Sequence, residues 1–370
     1  MTDNRIVPII MPKWGLSMKE GKVTGWLLED GTQIKVGDPI LEIETDKIAG
    51  SLEAGDAGVL RRRVGTPDTV YPVKALLGVI ADPSVPDAEI DAFVASYVTP
   101  PADEGDDDEG SKTEIAQTPA GALRYAKRGD GAETVILIHG FGGDLDNWLF
   151  NIDALGEAAT VYALDLPGHG QSTKTLDNPS LTTMTSALSG FMDTLGIASA
   201  HLVGHSMGGA IAMQLAASNP KKVKSMTLIC SAGLGPDIGS YVDDYVAAQG
   251  RKDLKPALEQ LFADKSLVSR QLVDDVLKYK RLDGVEAALK GLSQALFGGR
   301  KQHDAPASNL GAKMPPALVI WGKDDQVIPV AHAANLPGAR LHVIENAGHM
   351  VFMEKASEVN NLIKAHIAAA

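Results

Sequence analysis

The chain has 370 residues, 44% hydrophobic and 22% charged, which is ordinary for a globular protein and enough for two or three domains. Its formal charge of −13 argues against nucleic acid as a partner, and no apolar run approaches the roughly 18 residues a membrane-spanning helix needs. The single cysteine, Cys230, excludes an intrachain disulfide and a cysteine zinc site, so we expect no metal and a reducing, cytoplasmic setting.

Residues 1–80 read as short strands of period-2 patterning: IVPIIM, KVTGWLL, PILEIET and LLGVI. Turns such as Glu29-Asp30-Gly31 and Gly37-Asp38 separate them. The stretch GWLLEDGTQIKVGDPILEI (25–43) is echoed by residues 58–80 in its glycine, turn and strand spacing. Two similar halves predict a small, flattened, all-β barrel with Asp46-Lys47 at a hairpin tip between them.

The range 81–118 reads as a linker. Between Lys74 and Lys112 there is no Lys or Arg, and PPADEGDDDEGS (100–111) is acidic and Pro-rich. Residues 1–110 carry 10 Lys+Arg against 21 Asp+Glu, so most of the acidity lies here. Within the linker, residues 86–98 place Ile90, Phe93, Val94, Tyr97 and Val98 on one helical face. Such a helix suits packing on a neighbouring domain or docking on a partner subunit. The 20 residues 99–118 span at most about 66–72 Å when extended.

From residue 119 onward, strands alternate with helices, the mark of a parallel sheet covered on both faces. The strands are TVILIHG (134–140), TVYALDLPG (160–168), AHLVGHS (200–206), KSMTLICSA (224–232), PALVIWG (316–322) and ARLHVIENA (339–347). Residues of about 235–303 break this rhythm with charged helical sequence and read as an inserted cap.

Gly204-His205-Ser206-Met207-Gly208 matches G-x-S-x-G between a strand and a helix, which places a serine on a sharp corner. A serine hydroxyl needs a base, and the base needs an orienting carboxylate. WGKDDQVIP (321–329) offers Asp325, with Asp324 as its rival, and NAGHM (346–350) offers His349. An oxyanion needs two backbone N–H groups; Phe141 in His139-Gly140-Phe141-Gly142 and Met207 can supply them. With DLPGHGQS (165–172), these motifs resemble the α/β-hydrolase fold family over residues 120–370. The resemblance implies Ser206 as nucleophile, Asp325 as orienter and His349 as base. His139, His169 and His205 are expected to be structural, Cys230 to be a packed thiol, and Trp148 to line the acyl pocket. The basic clusters Arg251-Lys252, Lys278 with Lys280-Arg281, and Arg300-Lys301 are expected to be solvated surface.

MPKWGLSMKEGKVTGWLLEDGTQIKVGDPILEIETDK (11–47) resembles the lipoyl domains of 2-oxo acid dehydrogenase complexes. That implies lipoate joined to Lys47 by an amide bond. Biotinyl domains share the barrel, but their lysine sits in a Met-Lys-Met context that is absent here. Neither Asp130-Gly131 nor Asp283-Gly284 completes the H-x-x-x-D-G motif of the usual acyltransferase module. Domain order and both motifs together resemble the acyltransferase component of bacterial acetoin-cleaving dehydrogenase complexes. The resemblance implies acetyl transfer from the lipoyl arm to coenzyme A. It also implies a thiamine-diphosphate-dependent acetoin-cleaving partner, a dihydrolipoamide dehydrogenase and a homo-oligomeric core. A serine thioesterase carrying a lipoyl arm, and a lipoyl carrier on a non-catalytic scaffold, are the alternatives.

Overall fold

Apolar–polar alternation in the first eighty residues is realised as strands. The computed structural model describes residues 5–12, 14, 18–45, 49–100, 113–311 and 314–370. Lys47 and nearly all of the acidic stretch 100–111 lie outside the described residues. The chain divides into two units, Met1–Lys112 and Thr113–Ala370.

The first unit holds β1 (Ile6–Ile10), β2 (Glu20–Trp26), β3 (Gln33–Ile34), β4 (Pro39–Glu44), β5 (Ala49–Glu53), β6 (Gly58–Arg63), β7 (Thr69–Pro72) and β8 (Leu76–Ala81). They form two four-stranded sheets, ordered β1-β8-β6-β3 and β5-β4-β2-β7. Each repeat lends its short strand to the other's sheet: β3 joins β6 and β8, while β7 joins β2. In β4 the alternation is legible, with Leu41 and Ile43 buried in one core cluster with Val23, Leu60 and Leu77 while Glu42 and Glu44 are exposed. Glu44 pairs with Ala49 across the antiparallel β4–β5 ladder, and the hairpin tip expected at Asp46-Lys47 lies outside the described residues.

All six residues of β8 are buried, because its second face is also covered. The cover is α1 (Asp87–Ser96), whose Ile90 is fully buried beside Leu76, Val79 and Ala81, with Phe93, Val94 and Tyr97 packed around it. Arg61 fastens the approach by donating to the carbonyls of Asp82 and Val85 and to Asp87; Arg62 pairs with Asp91. The helix read as a choice between packing and docking thus packs on the barrel of its own unit.

The second unit begins six residues earlier than the 119 boundary. Strand β9 (Thr113–Thr118) pairs with β10 (Gly121–Arg128), and both are antiparallel additions at one sheet edge. The six apolar runs become β11 (Thr134–Ile138), β12 (Thr160–Leu164), β13 (Ala200–His205), β14 (Val223–Ile229) and, after the hairpin β15 (Phe297–Gly298) and β16 (Lys301–Gln302), β17 (Ala317–Gly322) and β18 (Arg340–Ile344). The sheet order is β18-β17-β14-β13-β11-β12-β10-β9, parallel from β18 to β12.

Helices α2 (Ile152–Gly156), α3 (Leu181–Thr194) and α4 (Met207–Ser218) follow β11, β12 and β13 in the chain. Between β14 and β17 stand α5 (Tyr241–Ala247), α6 (Arg251–Glu259), α7 (Arg270–Lys280) and α8 (Val285–Leu296), the helical insertion. Helices α9 (Val351–Glu354) and α10 (Ala356–Ala369) close the chain. Among the described residues, no helix is long and apolar enough to cross a membrane.

Candidate active site

Ser206 sits between the last residue of β13 and the first of α4, with φ 53° and ψ −117°. A non-glycine residue in this region is strained, and the strain is held in place by its surroundings. Its N–H donates to Ile229 O at 2.9 Å, and its carbonyl accepts from Gly209 and Ala232, each at 3.0 Å. The flanking glycines are required by close approach. A Cβ on Gly204 would overlap the Gly208 carbonyl, and one on Gly208 would overlap the carbonyl of Ile138 at the end of β11.

Asp325 follows β17, and its side chain is fully shielded from solvent. One carboxylate oxygen accepts the N–H groups of Val327 (2.8 Å) and Ile328 (3.0 Å); the other accepts His349 Nδ1–H at 2.9 Å. Nδ1 donates there, so Nε2 is left as the basic nitrogen. Asp324 is exposed, and only its backbone N–H reaches this region, donating to Ala347 O. The geometry therefore separates the two adjacent acids. The loop carrying His349 is tied down twice more. His205 Nε2–H donates to the His349 carbonyl at 3.0 Å, and Glu354 accepts the N–H of Gly348 at 2.7 Å and of Ala263, in the stretch between α6 and α7, at 2.8 Å. Burial holds the Glu354 carboxyl above its ordinary range.

The loop after β11 lies against the elbow: a Cβ on Gly140 would come within 3.0 Å of Ser206 Cβ. Phe141 is buried, its ring edge-on to Phe297 at 6.0 Å and to Tyr245 at 6.2 Å. Gly142, at φ +74°, is held from both sides: its N–H donates to His169 Nε2 (3.2 Å), and its carbonyl accepts the Tyr245 hydroxyl (3.3 Å). His139 donates Nδ1–H to Gly140 O and accepts Leu166 N–H on Nε2, and burial lowers its pKa to about 4. His169 and His205 are likewise held neutral by burial, His205 further by His349 alongside. These three histidines all serve as neutral hydrogen-bonding parts of the framework.

Cys230 is fully buried at φ +44°, and its Sγ, an Asp325 oxygen and a His349 nitrogen lie within 4.8 Å of one another. Burial, then the Asp325 charge, pushes its thiol well above the ordinary range, so it stays protonated against the carboxylate. Trp148 is fully buried with its ring 4.4 Å from that of Phe352, which in turn lies 4.8 Å from His205. The ring expected to line the acyl pocket thus packs against Phe352 within the core. Among the basic residues of the cap, Arg251 pairs with Asp274, Lys278 with Asp275 and Lys301 with Asp237. Lys280 departs from the expected solvated surface. It is buried, its ammonium donating to the carbonyls of Tyr245, Val246 and Ala248 at the end of α5 and lying 4.9 Å from the Tyr245 ring centroid.

This elbow, the Asp–His pair and the sheet define the second unit as an α/β-hydrolase-fold protein, and the family model described as alpha/beta hydrolase fold matches residues 133–356. A biotin/lipoyl model, described as biotin-requiring enzyme, matches residues 7–70. The chain is 54% identical to the dihydrolipoyllysine-residue acetyltransferase component of the acetoin cleaving system of Cupriavidus necator, over 98% of this chain and 97% of that one. It is 46% identical to the protein of the same description from Pseudomonas putida, over 98% and 99%. Among solved structures, a mutant meta-cleavage product hydrolase superposes with a TM-score of 0.64 at 26% identity, covering 70% of this chain and 98% of that one. The chain belongs to the family of dihydrolipoyllysine-residue acetyltransferase components of acetoin cleaving systems.

Proposed function

We propose that the chain transfers an acetyl group from a lipoyl arm on Lys47 to coenzyme A, with Ser206 as nucleophile, His349 as base and acid, and Asp325 as its orienter. The observation that carries this reading is the 2.9 Å Asp325–His349 bond on a loop tied to His205, the residue preceding the strained Ser206. A lysine amine is the group that an amide to a carboxylic acid requires, and lipoate attached at Lys47 would supply, in its reduced dihydro form, the thiol that carries the acyl group.

Ser206 Oγ attacks the carbonyl carbon of the thioester while its proton passes to His349 Nε2. Charge develops on the carbonyl oxygen, and the N–H groups of Phe141 and Met207 receive it. The C–S bond then breaks, and the leaving thiolate takes the proton from His349. Coenzyme A gives its thiol proton to the same nitrogen, attacks the acyl-serine carbonyl, and Ser206 recovers the proton as the C–O bond breaks. The net change is a thioester exchange with no oxidation or reduction. Asp325 stabilises the imidazolium formed twice in the cycle. A cytoplasmic complex supplies the rest: a thiamine-diphosphate-dependent acetoin-cleaving enzyme loads the arm, and a flavoprotein dihydrolipoamide dehydrogenase reoxidises it around a homo-oligomeric core.

Product analysis with S-acetyldihydrolipoamide and coenzyme A tests the reading. Acetyl-CoA from the wild type, and its loss in Ser206→Ala, are expected. Acetate formed without coenzyme A would make the chain a thioesterase, and unchanged turnover in Ser206→Ala would reduce the second unit to a scaffold.

A further inference from the structure

Beside the elbow lies a small, mainly apolar pocket lined by Leu181, Met207, Ala210, Ala232, Leu296 and Phe297, with Asp304 also reaching it. Three contacts attach it to the candidate active site. Met207 is the residue after Ser206, and its N–H is one of the two proposed oxyanion donors. The Phe297 ring packs edge-on against Phe141, which carries the other donor. The N–H of Ala232 donates to the Ser206 carbonyl.

The cavity volume is about 20 Å³. One water needs roughly 10–15 Å³ on this scale, so the space admits a single methyl-sized group. Its cap-side wall is fixed rather than loose. Gln302, which also lines the pocket, accepts Gly233 N–H at 2.7 Å and donates to Asp237 O at 2.9 Å, anchoring the β15–β16 hairpin that carries Phe297. Phe297 and Leu296 are both buried.

Resting on the acyl-transfer reading above, the geometry points to this pocket as the acyl-measuring subsite, with Phe297 and Leu296 as the residues that restrict the acyl chain to acetyl. The methyl of an acetyl group enters the pocket while its carbonyl oxygen faces the two N–H donors. A propionyl group adds one methylene beyond that methyl-sized space, on the side where Phe297 and Leu296 stand. One methylene is worth roughly 10–200-fold in discrimination at an apolar site of this kind.

The test compares kcat/KM for S-acetyl- and S-propionyldihydrolipoamide, with coenzyme A as acceptor and the full chain as enzyme. The wild type is expected to prefer acetyl by at least about tenfold. Phe297→Ala and the milder Phe297→Leu and Leu296→Ala are expected to bring the ratio close to one. The ratio is the readout because loss of the Phe297–Phe141 contact lowers both rates together. Ala210→Val, which narrows the pocket from the α4 side, is expected to cut acetyl transfer at least tenfold in a protein with wild-type thermal unfolding. A ratio within twofold of wild type in all three enlarged variants would overturn the assignment, as would full acetyl turnover in Ala210→Val. Failure of the serine mechanism shows instead as unchanged turnover in Ser206→Ala, whatever the acyl ratio does.

Discussion

The Tyr245 hydroxyl, on the first cap helix, donates at 3.3 Å to the carbonyl of Gly142, on the loop that follows β11. With His169 taking the Gly142 N–H on the opposite side, the peptides after Phe141 are gripped between cap and core. Lys280 reinforces this from behind by gathering the last carbonyls of α5. Tyr245→Phe keeps the ring against Phe141 and removes only the donor. One neutral hydrogen bond is worth about 1 kcal/mol. We therefore expect kcat for acetyl transfer to fall about fivefold with KM nearly unchanged. A Tyr245→Phe enzyme with wild-type kcat would show that the grip does not reach the oxyanion loop.

The two neighbouring acids give a sharper contrast. Asp325 is buried and spends its oxygens on Val327, Ile328 and His349, whereas the Asp324 side chain faces solvent. Asp325→Asn offers an amide where Nδ1–H needs an acceptor, and it favours the wrong imidazole tautomer. By analogy with serine-triad enzymes the expected loss in kcat is about 10⁴-fold. Asp324→Asn is expected to change kcat less than twofold. Equal effects of the two substitutions in steady-state assays would contradict the assignment.

Helix α1 bears on where the first unit ends. Ile90 is fully buried against the outer face of β8, and three arginines, Arg5, Arg61 and Arg62, pair with the acids of the helix. Exposed ion pairs of this sort contribute little, so the apolar contact dominates. Ile90→Ala is expected to destabilise the first unit by about 2–4 kcal/mol in urea unfolding. Transfer from free S-acetyldihydrolipoamide should be unaffected, because Ser206, Asp325 and His349 all belong to the second unit. A stability change below about 0.5 kcal/mol would return α1 to the status of a detachable docking element.

Much of this was legible in the sequence where local pattern and tertiary role agree. The central strands β11, β13, β14 and β17 are mostly apolar and almost wholly buried because helices cover both faces, and the Ser206 elbow announces itself through glycines that backbone contact makes necessary. Strand β9 escaped because it is an edge strand of polar sequence, TEIAQT, with only Ala116 buried. Lys280 escaped because a basic run ordinarily lies on the surface; its burial depends on three carbonyls supplied by another helix. The supports of the site, Glu354 and Tyr245, lie outside its motifs and act through contacts 6 and 103 residues apart in the chain. The glycines could have hinted at them, since a Cβ on Gly142 would come within 2.9 Å of the Tyr245 ring.

The buried His139 makes the framework acid-sensitive in a way that one substitution isolates. Its folded pKa is about 4, lowered by burial, against roughly 6.5 in the unfolded chain. Between these values the unfolded state binds a proton that the folded state refuses. Stability is therefore fully present above pH 6.5 and is lost as pH falls toward 4, at up to about 1.4 kcal/mol per pH unit. Carboxyls raised by burial, Asp144 to about 7 and Asp165 and Glu354 in the same direction, oppose this trend over part of the range. The wild-type curve alone is thus not diagnostic. The comparison with His139→Gln is, because glutamine does not titrate and the other groups cancel. His139→Gln should be less stable than wild type at pH 7.5, through its altered bonds to Gly140 and Leu166. That deficit should shrink by about 2 kcal/mol by pH 5 in urea titrations followed by tryptophan fluorescence. A deficit that stays constant from pH 7.5 to 5 would mean that His139 takes up its proton in the folded protein as readily as in the unfolded one.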